Sequence, residues 1–107
     1  MASAKYFRMI GERASEDLFA WSAFVVQTEF LWQDTASVQD AVAWQRVWFE
    51  LEILNGLALE QWEDEGKPDN WSCRWNADYR QEAAVLANEL LELLCDAVCS
   101  KQCWPSA

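Results

Sequence analysis

The chain has 107 residues, of which 52% are hydrophobic and 24% are charged, as in one globular domain and unlike a disordered chain. Its net charge of −10 opposes direct binding to a nucleic-acid backbone or to an anionic membrane, because both favour clustered Lys and Arg. It contains no histidine, which excludes Ser-His-Asp and Cys-His nucleophile arrangements. We therefore expect a single domain over residues 1–107 that is not an enzyme and binds no cofactor.

Two further patterns bear on location. Acids and Gly11 interrupt the apolar stretch that follows Lys5 and Arg8, so the first thirty residues do not resemble a signal peptide. The sequence has no run of about eighteen apolar residues, which a membrane-spanning helix needs. A cytoplasmic protein without a membrane span is the expectation.

The N-terminal third predicts a short helix followed by a long one. Residues 4–10 fit one or two helical turns ahead of Gly11. A long helix is expected over residues 15–33, with Ser15 as its N-cap and two acids in its first turn. Its apolar positions form two adjoining stripes at helical spacing: Leu18, Trp21, Val25, Thr28 and Trp32, and Phe19, Ala23, Val26 and Phe30. A helix apolar around this much of its circumference is expected to pack on more than one neighbour.

The remaining segments predict two more long helices. Ser37 opens a capping-box pattern, so a second helix is expected over residues 38–54, ending at the Asn-Gly pair that follows. A continuation to Glu65 after a kink is the alternative. The last and most regular helix is expected over residues 76–101. The predicted fold class is all-α: a compact antiparallel bundle of three long helices, or of four if a short N-terminal or kinked extra helix is added.

The connection over residues 65–75 is rich in tryptophan, although most of its other residues are typical of loops. Trp62, Trp71 and Trp75 are open to two interpretations. They cover the end of the core, or one or two of them stand exposed as anchors for a partner, since Trp is favoured at binding hot spots. An acidic rim fits the second interpretation: Glu63, Asp64, Glu65 and Asp69.

Four acids share one face of the last predicted helix: Asp78, Glu82, Glu89 and Asp96. At 100° per residue they fall within about 40° of each other, and they span about 27 Å. This stripe is either a solvated outer face or a row of carboxylates that imitates phosphates. From Leu51 onward the chain carries eleven acids and four bases, against seven and four before it. An electrostatic binding surface is therefore expected in the C-terminal half.

The cysteines are Cys73, Cys95, Cys99 and Cys103, the last three at intervals of four residues. If that segment is helical, the three form a row that suits Cu(I) or zinc. The spacing is not that of a structural zinc knuckle, however, and no histidine completes a mixed site. Free thiols and disulfides, including one from Cys73, are the other interpretations.

The overall profile resembles small acidic proteins that occlude another protein, such as toxin-immunity proteins, phage-encoded anti-CRISPRs and secretion chaperones. The resemblance is one of size, charge and missing catalytic groups, and it covers no motif. It implies an inhibitor or neutraliser of a partner with a basic surface, either a nucleic-acid-handling protein or a toxin. The expected partner-binding residues are Glu63, Asp64, Glu65, Asp69, Trp71, Asp78, Glu82, Glu89 and Asp96.

Three alternatives to that function stay open. One is a metal-binding or redox protein that uses Cys95, Cys99 and Cys103. Another is a small acidic secretion chaperone. The third is a structural subunit that forms a homodimer, because the first two long helices carry more apolar surface than three helices easily bury.

Overall fold

The structure is a computed structural model, and it describes residues 4–94. Within these residues the chain forms five α-helices, two 3-10 turns and no β-strand, so the predicted all-α class is confirmed. The helices are α1 (Ala4–Arg13), α2 (Leu18–Thr28), α3 (Ala41–Asp64), α4 (Ser72–Asp78) and α5 (Arg80–Leu91). The 3-10 turns are Ala14–Glu16 and Leu31–Gln33. No helix in the described part of the chain is long and apolar enough to cross a lipid bilayer.

α2 begins later and ends earlier than predicted. Its N-cap is Asp17 and not Ser15, and Asp17 Oδ1 accepts a hydrogen bond of 2.7 Å from the Ala20 N–H. A carboxylate here satisfies an otherwise unpaired donor and complements the positive end of the helix. The helix ends at Thr28, and a 3-10 turn replaces the last turn of the prediction.

α3 runs through the predicted stop at Gly56 and reaches Asp64, as in the alternative that extends the second helix. Its N-cap is Asp40 and not Ser37, and Asp40 Oδ1 accepts a hydrogen bond of 3.0 Å from the Ala43 N–H. An exposed glycine costs a helix only about 1 kcal/mol, which the packing of buried residues on either side of Gly56 outweighs.

α3 ends in a Schellman motif. Gly66 has φ of +90° and Lys67 has φ of +54°, so the chain leaves the helix through the left-handed region. The Gly66 N–H donates to the Glu63 carbonyl and the Lys67 N–H donates to the Trp62 carbonyl, each at 3.0 Å. This turn reverses the chain toward α4.

Tyr79 divides the last predicted helix into α4 and α5. Its φ of −127° departs from helical geometry, yet its N–H still donates to the Trp75 carbonyl and its carbonyl accepts from the Ala83 N–H, each at 2.9 Å. The Tyr79 ring stacks on Trp75 and on Trp71, with centroids 5.7 and 5.9 Å apart. Aromatic packing therefore accompanies the bend. The predicted continuation beyond residue 94 lies outside the described residues.

The core lies between α2, α3 and α5, with α1 packed on α5. α2 and α3 run antiparallel, as three cross-helix contacts show: Trp48 to Val25, Asn55 to Ser22 and Trp62 to Phe19. The largest fully buried side chains are Trp21, Trp44, Trp75, Phe24, Leu18, Leu51, Leu90, Leu94, Val38 and Thr28.

Indole groups of α3 bind the C-terminal end of α2. The Trp44 N–H donates to the Thr28 carbonyl at 3.0 Å, and the Trp48 N–H donates to the Val25 carbonyl at 2.9 Å. Both carbonyls belong to the last turn of α2, where a helix leaves its acceptors without intrahelical donors. These bonds fix α2 against α3 and satisfy polar groups inside an apolar core.

Candidate functional site

The tryptophans around the α3–α4 connection close the end of the core. Trp75 is fully buried, Trp71 is 7% exposed and Trp62 is half-buried. The Trp75 N–H donates to the Ser15 carbonyl at 2.8 Å, and the Trp62 N–H donates to the Pro68 carbonyl at 3.0 Å. The expectation that Trp71 serves as an exposed anchor is therefore wrong, because its ring is already packed within this chain.

Glu65 is the polar centre of the same connection. Its carboxylate accepts hydrogen bonds from the Trp71 N–H at 2.8 Å, from the Gln61 amide at 3.1 Å and from Arg74 Nε at 3.0 Å. The hydrogen bond from Trp71 is the largest cause that lowers the pKa of Glu65, and the charge of Arg74 acts in the same direction. Glu65 therefore ties the connection together, although it was expected to contact a partner.

The remaining predicted acids of this region differ in how they are paired. Asp78 lies 3.3 Å from Arg74, which also holds Glu65, so a single guanidinium contacts both carboxylates and offsets one of their two charges. The other five are exposed and form no ion pair within residues 4–94. We call these five the acidic surface: Glu63, Asp64, Asp69, Glu82 and Glu89.

The predicted stripe of four acids is not one continuous row. The bend at Tyr79 places Asp78 on α4, apart from Glu82 and Glu89 on α5, whereas the prediction assumed a regular 100° per residue. Asp78 and Glu82 still line the same open depression of about 380 Å³. Asp96 lies outside the described residues.

Most of the acidic surface lies toward one end of the bundle. The Tyr79 hydroxyl donates a hydrogen bond to Gln61, so the last turns of α3 lie beside the first turn of α5. Glu89 lies about 10 Å further along α5 than Glu82, at 1.5 Å per residue. It lines a second depression, of about 340 Å³, together with Arg46 and Glu50.

The cysteines form no site within the described residues. Cys73 is a free, exposed thiol on α4, beside a depression of about 360 Å³ that Glu65 and Trp71 also line. No group of three or more Cys, Asp or Glu side chains in residues 4–94 is arranged to hold a metal ion. Cys95, Cys99 and Cys103 lie outside those residues.

A second surface exposes large apolar side chains to solvent. It comprises the second predicted stripe of α2, continued just beyond that helix, and the side of α3 that faces away from the core. We call it the outer face: Phe19, Ala23, Val26, Phe30, Val42, Phe49, Ile53 and Leu57. Its large side chains are 44% to 78% exposed.

The outer face overturns the prediction that the second stripe packs on a neighbour. Within residues 4–94 the first stripe supplies the core and the second remains exposed. Both stripes are visible in the sequence, but the number of neighbours around α2 is not. The tryptophans could have indicated which side is buried, because the indole N–H groups of Trp21, Trp44 and Trp48 all donate to backbone carbonyls of the facing helix.

The described surface thus offers two features, and α3 contributes to both. The acidic surface follows the end of α3, the connection and α5, and the outer face covers α2 and the middle of α3. Comparison of the chain with protein-family models, with curated proteins and with solved structures finds no match.

Proposed function

We infer that the protein is a non-enzymatic interaction protein that binds a partner with a basic surface and blocks the site it covers. A nucleic-acid-handling protein or a toxin is the class of partner expected. The observation that carries this proposal is the acidic surface, whose five carboxylates are exposed and unpaired within residues 4–94. Unpaired exposed charges attract an opposite surface over long range and lose little hydration before contact.

Arg74 separates the acids into a paired group and an unpaired group. It holds Glu65 and Asp78 at 3.0 and 3.3 Å, so these two are largely committed within the chain. The ion-paired residues set the shape of the connection, and the acidic surface beside it supplies the field. The partner contact is therefore assigned to Glu82 and Glu89 and to the acids at the end of α3, with Glu65 and Trp71 in a supporting position.

The test begins with capture of the partner from the native host on the immobilised chain and its identification by mass spectrometry. Association of the purified pair is then followed at low and high salt for wild type and for Glu82→Lys/Glu89→Lys. We expect the double reversal to lower the association rate constant by about tenfold or more at low salt, and added salt to slow the wild type.

A matched control makes the same change of net charge elsewhere. Glu12→Lys/Glu16→Lys reverses two exposed acids near the N-terminus, where Glu16 makes only a long, exposed contact of 3.8 Å to Arg13. This control is expected to slow association much less than the α5 reversal. Equal slowing by both pairs, or a rate that ignores salt and both pairs, would remove the proposal.

A further inference from the structure

The outer face is mainly apolar, and its charged neighbours lie on α3. α2 contains no charged residue between Leu18 and Thr28. On α3, Phe49, Ile53 and Leu57 fall within about 80° of each other at 100° per residue. The charged residues of α3 within about 60° of Ile53 are Arg46, Glu50, Glu60 and Asp64, and none of them forms an ion pair within residues 4–94.

The two helices place their apolar side chains at matching heights. The Ser22 hydroxyl donates to Asn55 Oδ1 at 2.6 Å, which puts the middle of α2 beside the middle of α3. Ala23 and Ile53, the next outward residues on each helix, therefore lie at nearly the same level. The outer face thus has one centre and extends about equally along both helices.

The positions around that centre are self-complementary. Phe49 and Leu57 lie four residues to either side of Ile53, and Arg46 and Glu60 lie seven residues to either side. Seven residues are nearly two helical turns, so both charges point in almost the same direction as Ile53. A two-fold axis at Ile53, perpendicular to α3, would place Arg46 opposite Glu60 of a second copy and Phe49 opposite its Leu57.

We propose that the outer face is the contact surface of a two-fold symmetric homodimer, in which α2 and α3 each lie antiparallel to their copy about Ala23 and Ile53. Such an interface uses the same patch twice, and each copy supplies both members of the Arg46–Glu60 pair. This inference goes beyond the proposed function, since it involves no second kind of protein.

The exposed area is sufficient for such a dimer. Seven large side chains are each 44% to 78% exposed. With roughly 200 Å² for a whole aromatic side chain and less for an aliphatic one, they offer on the order of 700 Å². Standard stable interfaces bury about 600–1,000 Å² per partner, a range that includes this area. Gly56, beside Ile53, has no atom within 4 Å of where its Cβ would lie, so a second backbone can approach closely.

The test measures the mass of the full chain, in reducing buffer, by sedimentation equilibrium from ~1 μM to ~1 mM, a range that spans weak to moderate affinities. The expected mass rises toward twice 12.4 kDa with concentration. A chain that stays at 12.4 kDa throughout, or that grows without limit, would overturn the proposal.

Substitutions then locate the axis. Ile53→Asp brings two like charges together at the centre and is expected to abolish the dimer, with helical circular dichroism retained. Val85→Asp is the matched control, because Val85 is 54% exposed on α5 and Ile53 is 44% exposed on α3. Loss of the dimer by both variants, or by neither, counts against the assignment.

A charge swap tests the pairing itself. Arg46→Glu is expected to weaken the dimer by about tenfold or more, because it places two acids opposite each other. Adding Glu60→Arg restores the pair in reverse and should recover most of the loss. A double variant as weak as the single one would overturn the proposed axis. Glu82→Lys, which leaves Glu89 beside Arg46 intact, should dimerise normally, and this separates the result from that for the basic partner.

Discussion

α2 and α3 carry apolar side chains on two opposite sides, and the two sides differ in residue type. The inward side holds Trp21, Trp44 and Trp48, and each indole N–H donates to a backbone carbonyl of the opposite helix. The outer face holds phenylalanine and aliphatic residues, with no tryptophan, and its large side chains are 44% to 78% exposed.

The difference shows that hydrophobicity alone does not tell which side of such a helix faces the core. A buried indole needs an acceptor for its N–H, and the antiparallel partner helix supplies one. Phenylalanine and valine have no such requirement, so they suit either a core or a surface covered by another molecule. Tryptophan therefore marks the inward side in this chain.

The largest expected effect on stability comes from truncating a buried side chain on the inward side. Trp44 has no exposed surface, and its N–H is bound to the Thr28 carbonyl. Trp44→Ala should lower the free energy of unfolding by about 3–5 kcal/mol, because it leaves a cavity. The loss of a donor to a buried carbonyl adds to that cost. Urea unfolding followed by circular dichroism measures the change.

Val26→Ala is the outward counterpart, at a residue that is 71% exposed. It should change the free energy of unfolding by less than about 0.5 kcal/mol, as for other exposed sites. Both variants are compared at the lowest workable protein concentration, so that self-association contributes little. Similar losses for the two would contradict the division into an inward and an outward side.

Substitutions at two glycines are expected to change the free energy of unfolding in opposite directions. Gly56→Ala places a methyl group where no atom lies within 4 Å, and should stabilise the chain by about 0.5–1 kcal/mol. Gly11→Ala places one 2.8 Å from Leu91 Cδ1, and overpacking of this kind costs about 1–3 kcal/mol. The helix-propensity gain of about 1 kcal/mol offsets part of that cost. At a protein concentration low enough to keep the chain monomeric, thermal unfolding should therefore show a higher Tm for Gly56→Ala and a lower one for Gly11→Ala.

The smallest effect concerns a carboxylate that is hydrogen-bonded within the α3–α4 connection. The hydrogen bond from Trp71, with help from Arg74, lowers the pKa of Glu65 in the folded chain. A lowered pKa stabilises the fold above the ordinary glutamate pKa of about 4.3, and this stabilisation is lost as pH falls through the folded value. Wild type should therefore exceed Glu65→Gln in stability at neutral pH, and the difference should shrink below that pKa.

Glu63→Gln is the control for that pH series. It removes a nearby exposed charge without touching Trp71 or Arg74. Unfolding free energies are measured from neutral pH down to about pH 3, which brackets the glutamate range. The same pH dependence for both variants would mean that Glu65 is no more committed to the fold than its neighbour.

The helices could be predicted from the sequence, but their limits could not. Apolar residues at intervals of three and four indicate each long helix. Ser15 and Asp17 are both suitable N-caps for α2, and local sequence does not decide between them. The Ser15 carbonyl accepts a hydrogen bond from Trp75, sixty residues away, and belongs to a 3-10 turn, so α2 begins after Asp17. A contact between residues so far apart in the chain cannot be predicted from local sequence.

The sequence identifies the acidic residues, but only the structure shows which of them are paired within the chain. Glu65 and Arg74 are nine residues apart and meet because the chain turns at Gly66 and Lys67. Glu65 does not differ in type from neighbours such as Glu63. The bend at Tyr79 likewise separates Asp78 from the row that regular helical spacing predicted. Tertiary packing set both outcomes.

The burial of tryptophan also gives the chain its own optical probe. Trp21, Trp44 and Trp75 have no exposed surface, whereas Trp62 is half-buried near the end of the bundle. Indole fluorescence shifts to longer wavelength when water reaches the ring, so loss of the core should appear as a red shift in emission without any added label. A soluble quencher should reach the half-buried Trp32, Trp48 and Trp62 before these three, which distinguishes quenching in the folded chain from global unfolding.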